Sequence, residues 1–436
     1  MNSESNLLLQ QVRLLDPVSG IDKIADVLIS DGKIKAIEAN LIDIPQDVKL
    51  LDGQGLILAP GLVDLYSHSG DPGHEERETL STLVAAAAAG GFTRVGILPD
   101  TKPPVDNPGS LTLLNQKLKQ IRDNHREITS KLSHPHLYFW GAITVNLEGK
   151  QMSELADLAR EGVIGFADGY PVENLGLLRR LLEYLKPLGK PVALIAANGQ
   201  IQGNGVMREG AASIRCGLPG NPAVSEAAAI AALLELVAAI GTPVHLMRVS
   251  TARGVELIAD AKARGVPVTA STTWIHLLLN TDAVASYDPN LRLEPPLGNE
   301  ADMMALIKGV KEGVIDAIAV DHTPYTYEEK TVAFAEAPPG AIGLELALPL
   351  LWQNFVETEE WSALELWQAL SIKPQLCLGQ QPLAIMVGET AELVLFDPQK
   401  TWTVDGHSLK SLCTNTPWLG KQLTGKVVQI FTPLQN

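Results

Sequence analysis

The feature that most constrains this chain is a sustained alternation, across its middle, of short apolar runs with helical patterns. Eight runs read as strands, at 62–68, 92–99, 137–144, 163–168, 192–197, 244–250, 266–273 and 317–321. Between several of them lie helical segments such as E-R-E-T-L-S-T-L-V-A-A-A-A-A and G-V-E-L-I-A-D-A-K-A-R, which close at or beside a glycine. Such alternation builds a parallel sheet with its helices outside. Eight βα units predict an α/β fold of the (β/α)₈ barrel type, although an open doubly wound sheet would alternate in the same way. In a barrel the chemistry sits where the strands end, at their carboxyl termini.

The two chain ends differ from this middle. Residues 5–60 carry short β-rich runs broken by D-G and S-G turns, and the same texture returns from about 383 in A-E-L-V-L-F-D-P and G-K-V-V-Q-I-F. The expected organisation is therefore a barrel at 61–379 bracketed by β-rich ends at 1–60 and 380–436.

Composition narrows the function. With 46% hydrophobic residues among 436, disorder as the main state is excluded. A net charge of -16 disfavours nucleic acid as a partner. Cys216, Cys377 and Cys413 lie far apart with no C-x-x-C pair, which argues against a disulfide framework or a cysteine-bound zinc. The start, M-N-S-E-S-N-L-L-L-Q, is acidic where a signal peptide wants positive charge, and no run reaches membrane-spanning length. A soluble cytoplasmic protein that binds neither membrane nor nucleic acid is expected.

The first barrel strand ends in P-G-L-V-D-L-Y-S-H-S-G-D-P-G, residues 60–73. Residues two apart on a strand face the same side, so a His-x-His there could hold a metal. Here the pair is Tyr66 and His68. This stretch resembles the dihydroorotases of the cyclic amidohydrolase group. So do G-G-F-T-R-V-G-I-L-P-D-T-K-P-P-V-D (90–106), G-V-I-G-F-A-D (162–168), C-G-L-P-G-N-P-A-V-S-E (216–226), H-L-M-R-V-S-T-A-R-G-V-E-L-I (245–258), L-E-P-P-L-G-N-E-A-D (293–302), A-V-D-H-T-P-Y-T-Y-E-E-K (319–330) and N-T-P-W-L-G (415–420). The resemblance runs in one order along nearly the whole chain. It implies a metal-dependent-hydrolase barrel with a small β-sandwich built from both ends, and the closure of N-carbamoyl-aspartate to dihydroorotate in pyrimidine synthesis. That reaction asks zinc to activate water and polarise an amide, a carboxylate to move a proton, and basic or amide groups to hold the substrate carboxylate.

Carried over residue by residue, the resemblance places metal ligands on His68, Asp168 and Asp321, with Asp321 also the proton shuttle. The other ligand positions fall on Tyr66, Ile195 and Arg248. An alkyl chain has no lone pair to give, and a guanidinium has no acceptor and repels a cation. The substrate-binding positions fall on Gly70, Asp100, Glu294 and Tyr325, where an arginine, two asparagines and a histidine would be expected. Loss of the arginine and gain of two acids predict an acidic pocket hostile to an anion. Arg248 is expected to pair with Asp168 or Asp321 in place of a metal, because two buried carboxylates without a cation would be costly.

These readings point to a dihydroorotase-like protein that is non-catalytic, with no cofactor expected and Asp321 vestigial. It would act as a homo-oligomer or as a structural partner of aspartate transcarbamoylase. The alternative is an active zinc-dependent dihydroorotase, or another cyclic amide hydrolase with a reduced metal site at His68, Asp168 and Asp321. His134 and His136 precede the third strand and read as a loop feature. His245, His276 and His322 read as structural, and the glycine-containing loop 200–206 lacks the Gly-Lys-Ser/Thr of a phosphate loop.

Overall fold

A computed structural model describes residues 6–42, 44, 48–128, 134–382 and 384–433; the acidic start at 1–5 lies outside the described residues. Five strands come first: β1 Asn6–Asp16, β2 Ile21–Ser30, β3 Lys33–Glu38, β4 Val48–Asp52 and β5 Ile57–Pro60. With β15 Leu393–Thr403 and β16 Gln422–Phe431 they form a seven-stranded sheet in the order β16-β15-β5-β1-β2-β3, with β4 paired to β1. The ends meet on β5, where Leu58 sits opposite Leu14 on one side and Leu395 on the other. Buried Leu9, Leu14, Val27, Leu58, Leu395 and Phe431 give the resulting β-sandwich its own core.

The chain enters the barrel through a single residue. Gly61 links β5 to β6 Leu62–Ser67, and a Cβ there would collide with the Thr93 side chain. Only glycine permits that approach. β6 pairs in parallel with β7 Phe92–Ile97, and β7 with β8 His136–Phe139. His136 thus opens its strand, at the end opposite the strand termini that carry the site. Beyond the short ribbon β10 Met207–Arg208 and β11 Gly220–Asn221, the wall continues through β9 Ala193–Ile195, β12 Val244–Met247, β13 Val268–Thr273 and β14 Ala317–Ala319. The strand expected at 163–168 is reduced to bridges at Phe166, which joins Gly141 to Val192. Its neighbour Pro191 accepts from Phe166 N at 2.8 Å but has no N–H to return.

Closure between last and first strands rests on Asp321 N donating to Tyr66 O at 3.1 Å and His68 N donating to His322 O at 2.9 Å. The fully buried Asp64 carboxylate accepts from Val320 N at 2.7 Å beneath that seam. Val63, Leu65, Tyr66, Leu98, Trp140 and Met247 fill the interior beside small Ala167, Ala193, Ala317 and Ala319. Trp140 Nε1 donates to Leu65 O at 2.9 Å across Gly96, where any Cβ would strike that carbonyl. Side chains pack this barrel solid up to the level of its carboxyl end.

Sandwich and barrel are clamped by Arg94 on β7, which donates from Nε and Nη2 to Glu392 at 2.7 and 2.6 Å while Thr93 Oγ1 adds a third bond at 2.9 Å. Burial raises the Glu392 carboxyl pKa, but Arg94 outweighs it and holds the group below its ordinary value. Glu392→Gln should therefore cost about 2 kcal/mol at neutral pH in urea unfolding, the scale of a broken, largely buried ion pair with some residual exposure.

Candidate active site

At the carboxyl end of the strands lies a cavity of about 540 Å³. Its floor is a charge cluster. Arg248 follows β12, and its Nη2 donates to Asp321 Oδ1 at 2.6 Å, with 8% and 16% of the two side chains exposed. The same Nη2 lies 3.0 Å from His68 Nε2, and His68 Nδ1 meets Asp100 Oδ2 at 2.6 Å. Burial pushes both carboxylates toward protonation, but Arg248 for Asp321 and His68 for Asp100 outweigh it, holding both below their ordinary pKa. For His68, burial lowers the pKa while Asp100 and Asp321 raise it to about 9. The guanidinium beside Nε2 pulls the other way, since its N–H is accepted only by a deprotonated nitrogen.

Tyr66 holds this cluster from below. Its hydroxyl lies 2.8 Å from Ser271 Oγ and accepts from Arg248 N at 3.1 Å, and its carbonyl accepts from Asp321 N. Burial raises the phenol pKa further, so the group stays neutral. Ser271 in turn meets His245, whose pKa falls to about 3 through burial and Lys262, which keeps it a neutral interior residue. Arg248 and Asp321 both have φ of 55°, a left-handed conformation that costs a side-chain-bearing residue about 1–3 kcal/mol. Bonds from Tyr66 to both backbones keep the two side chains in that strained pose.

The expected ligand positions part company here. His68, Asp321 and Ile195 line the cavity, whereas Asp168 does not. Its carboxylate is consumed by Ile143 N at 2.7 Å, Thr144 N at 3.0 Å and Thr144 Oγ1 at 2.6 Å, so it caps the turn after the third strand instead of joining His68 and Asp321. Arg248 accordingly pairs with Asp321 and not with Asp168. Among the described residues no three of His, Cys, Asp or Glu are placed to hold a metal ion. Zinc requires at least three such donors, and Tyr66, Ile195 and Arg248 supply none, so the residues present do not fit a zinc centre.

The substrate-binding positions do gather. Gly70, Asp100, Glu294 and Tyr325 all line the cavity. No larger residue fits at Gly70, because its Cβ would strike the His74 carbonyl and the Glu78 backbone as the chain turns back over it. Besides the expected acids and Arg248, the cavity is lined by three further cations, Arg77, Lys102 and Arg208. Arg77 pairs with Glu329 at 3.0 Å through Nε and stacks 4.8 Å from the Tyr325 ring centre. Burial pushes the Tyr325 phenol up to about 12. Arg77, Lys102 and Arg208 escape sequence reasoning because partners such as Arg77 and Glu329 are brought together only by the folded loops. His276 lines the cavity but is tied up between Thr273 and Pro295 O, whereas His322 is internal and faces buried Glu78 at 3.3 Å.

Residues 55–253 match the family described as Dihydro-orotase-like. A probable dihydroorotase-like protein of Synechocystis sp. is 49% identical over 436 residues, covering 96% of this chain and 98% of that protein. Dihydroorotase of Geobacter metallireducens is 37% identical over 421 residues, covering 96% of each. Among solved structures, L-hydantoinase (dihydropyrimidinase) from Arthrobacter aurescens superposes with a TM-score of 0.83 at 24% identity, over 99% of this chain and 95% of that one. Dihydropyrimidinase from Brevibacillus agri gives 0.79 at 22%, over 98% and 94%. At such identities the likeness to the two structures is one of fold.

The Arg248–Asp321 pair carries a pH signature. A depressed carboxyl pKa contributes stability above the ordinary value near ~3.9, and that contribution is lost as pH falls through the folded-state value. Arg248→Met should cost about 3 kcal/mol in denaturant unfolding at pH 7. The penalty should shrink toward zero in acid as Asp321 protonates; a penalty independent of pH would mean that the pair is not its source.

Proposed function

The chain belongs to the dihydroorotase family, and we propose that it keeps the family's barrel while having given up the metal-dependent reaction, serving as a structural partner in pyrimidine synthesis. One observation carries this reading: a guanidinium, bound to Asp321 and touching His68, stands among the groups that would have to hold the metal. A fixed positive charge there replaces the metal's neutralising role and opposes its entry. The turned-away Asp168 and the closed turn over Gly70 support it from two further sides, one concerning the metal and the other the substrate carboxylate.

The partner that the resemblance implies is aspartate transcarbamoylase, with this chain as a homo-oligomer or as one component of a mixed assembly. The competing reading, an active zinc-dependent dihydroorotase or another cyclic amide hydrolase, draws support from a cavity that still opens on Asp321 and Tyr325. One preparation separates them. Protein purified with zinc present should hold far less than one metal per chain and show no cyclisation of N-carbamoyl-aspartate, while co-purifying with aspartate transcarbamoylase. Stoichiometric zinc together with turnover would sink the non-catalytic reading, and absence of the complex would sink the partnership alone.

A further inference from the structure

One wall of the cavity is used by nothing described so far. The parallel ribbon of β10 and β11 sets Arg208 opposite Asn221, with 2% and 3% of these residues exposed, and both line the cavity. Arg208 Nη2 donates to Ser250 Oγ at 2.7 Å and to Pro296 O at 3.4 Å, and Nη1 reaches Asn221 O at 3.5 Å. These partners are neutral, and Nε has none. Glu226 stands beyond Ser250, but its carboxylate is taken up by Ser250 N, Thr251 N, Thr251 Oγ1 and Ser250 Oγ. Arg208 is thus a buried cation without an acid of its own, and the Asn221 Oδ1 beside it is an acceptor without a donor.

Two residues before Pro296, Glu294 brings a carboxylate to the same cavity. Its side chain is 34% exposed, and Arg292 at 3.5 Å and Gln202 at 3.0 Å both bond to it, while burial still raises its carboxyl pKa. A buried cation short of an acid and a partly exposed acid therefore line the same cavity, whose volume falls within the range of small-molecule sites. An unpaired buried cation is costly, and a ligand carboxylate at Arg208 removes that cost while the Glu294 carboxylate faces the other end of the same ligand.

We propose that this cavity is a binding site for a small zwitterionic amino acid, with its carboxylate on Arg208 beside Asn221 and its ammonium on the Glu294 wall. Binding without turnover rests on the non-catalytic reading above; the recognition itself does not. A guanidinium suits a carboxylate through paired charge-assisted bonds, and the Asn221 oxygen suits a neighbouring N–H. The acidic residues of the cavity then favour a ligand that carries an ammonium over a simple anion.

Isothermal titration of the full-length protein against each of the common amino acids, with succinate as the ammonium-free probe, tests this. At least one amino acid should bind at micromolar to millimolar concentration, and succinate should bind at least about tenfold more weakly than L-aspartate or L-glutamate if either binds, the scale of one lost charge-assisted contact. Arg208→Gln and Glu294→Gln should each weaken binding by about tenfold or more, whereas the exposed Arg253→Gln should leave it unchanged. No binding by any amino acid, equal binding of succinate, or wild-type affinity in Arg208→Gln would overturn the proposal. Should Arg208→Gln fail to fold, the Glu294→Gln titration and the wild-type succinate comparison decide it. Cyclisation activity in the same preparation would count against the non-catalytic reading while leaving the binding result intact.

Discussion

The ion pair between Arg248 and Asp321 organises the carboxyl end of this barrel. It joins β12 to the residues after β14, next to the seam where the last strand closes on the first. His68 and Asp100 extend it to the first two strands, so four strand ends meet in one hydrogen-bonded cluster. A buried pair of this kind is weak evidence of net stability, because desolvation offsets much of its attraction. Its stronger effect is on specificity: with both residues in a left-handed backbone and both backbones bonded to Tyr66, few other arrangements satisfy the same groups.

Much of this was legible in the sequence. Strand periodicity placed seven of the barrel's ladder segments, and the motif positions set Tyr66, His68, Arg248 and Asp321 at strand ends, which leaves their side chains few directions to take. That Arg248 would pair with Asp168 or Asp321 followed from charge once the resemblance had placed the metal donors, and the folded chain gives it to Asp321. Asp168 shows the limit. Its position at the end of its segment was read, but the competition between a cavity and two backbone N–H groups at Ile143 and Thr144 is settled by the conformation of a loop, which carries no periodic signal. The fourth strand was overestimated for a similar reason, since its apolar pattern says nothing about a proline across the ladder at Pro191.

The cations of the cavity were the larger omission. Arg77 lies in a connecting loop and Arg208 in the short ribbon β10, where no spacing rule ties them to Glu329 or Asn221. The expectation of an acidic pocket was likewise incomplete, because it rested on Gly70, Asp100 and Glu294 alone and the cavity mixes both signs. The same chain can be acidic outside and carry a buried, acid-poor arginine within.

Gly70 bears on the shape of one side of the cavity. The turn from 70 to 78 occupies the volume a side chain at that position would need, and it is held by His74 N donating back to Gly70 O at 2.6 Å and by Arg77 anchored to Glu329. No side chain can be introduced there by one substitution, because the backbone around it would first have to open and release those contacts. What the cavity offers at position 70 is thus set by the conformation of residues 74–78 as much as by the residue itself.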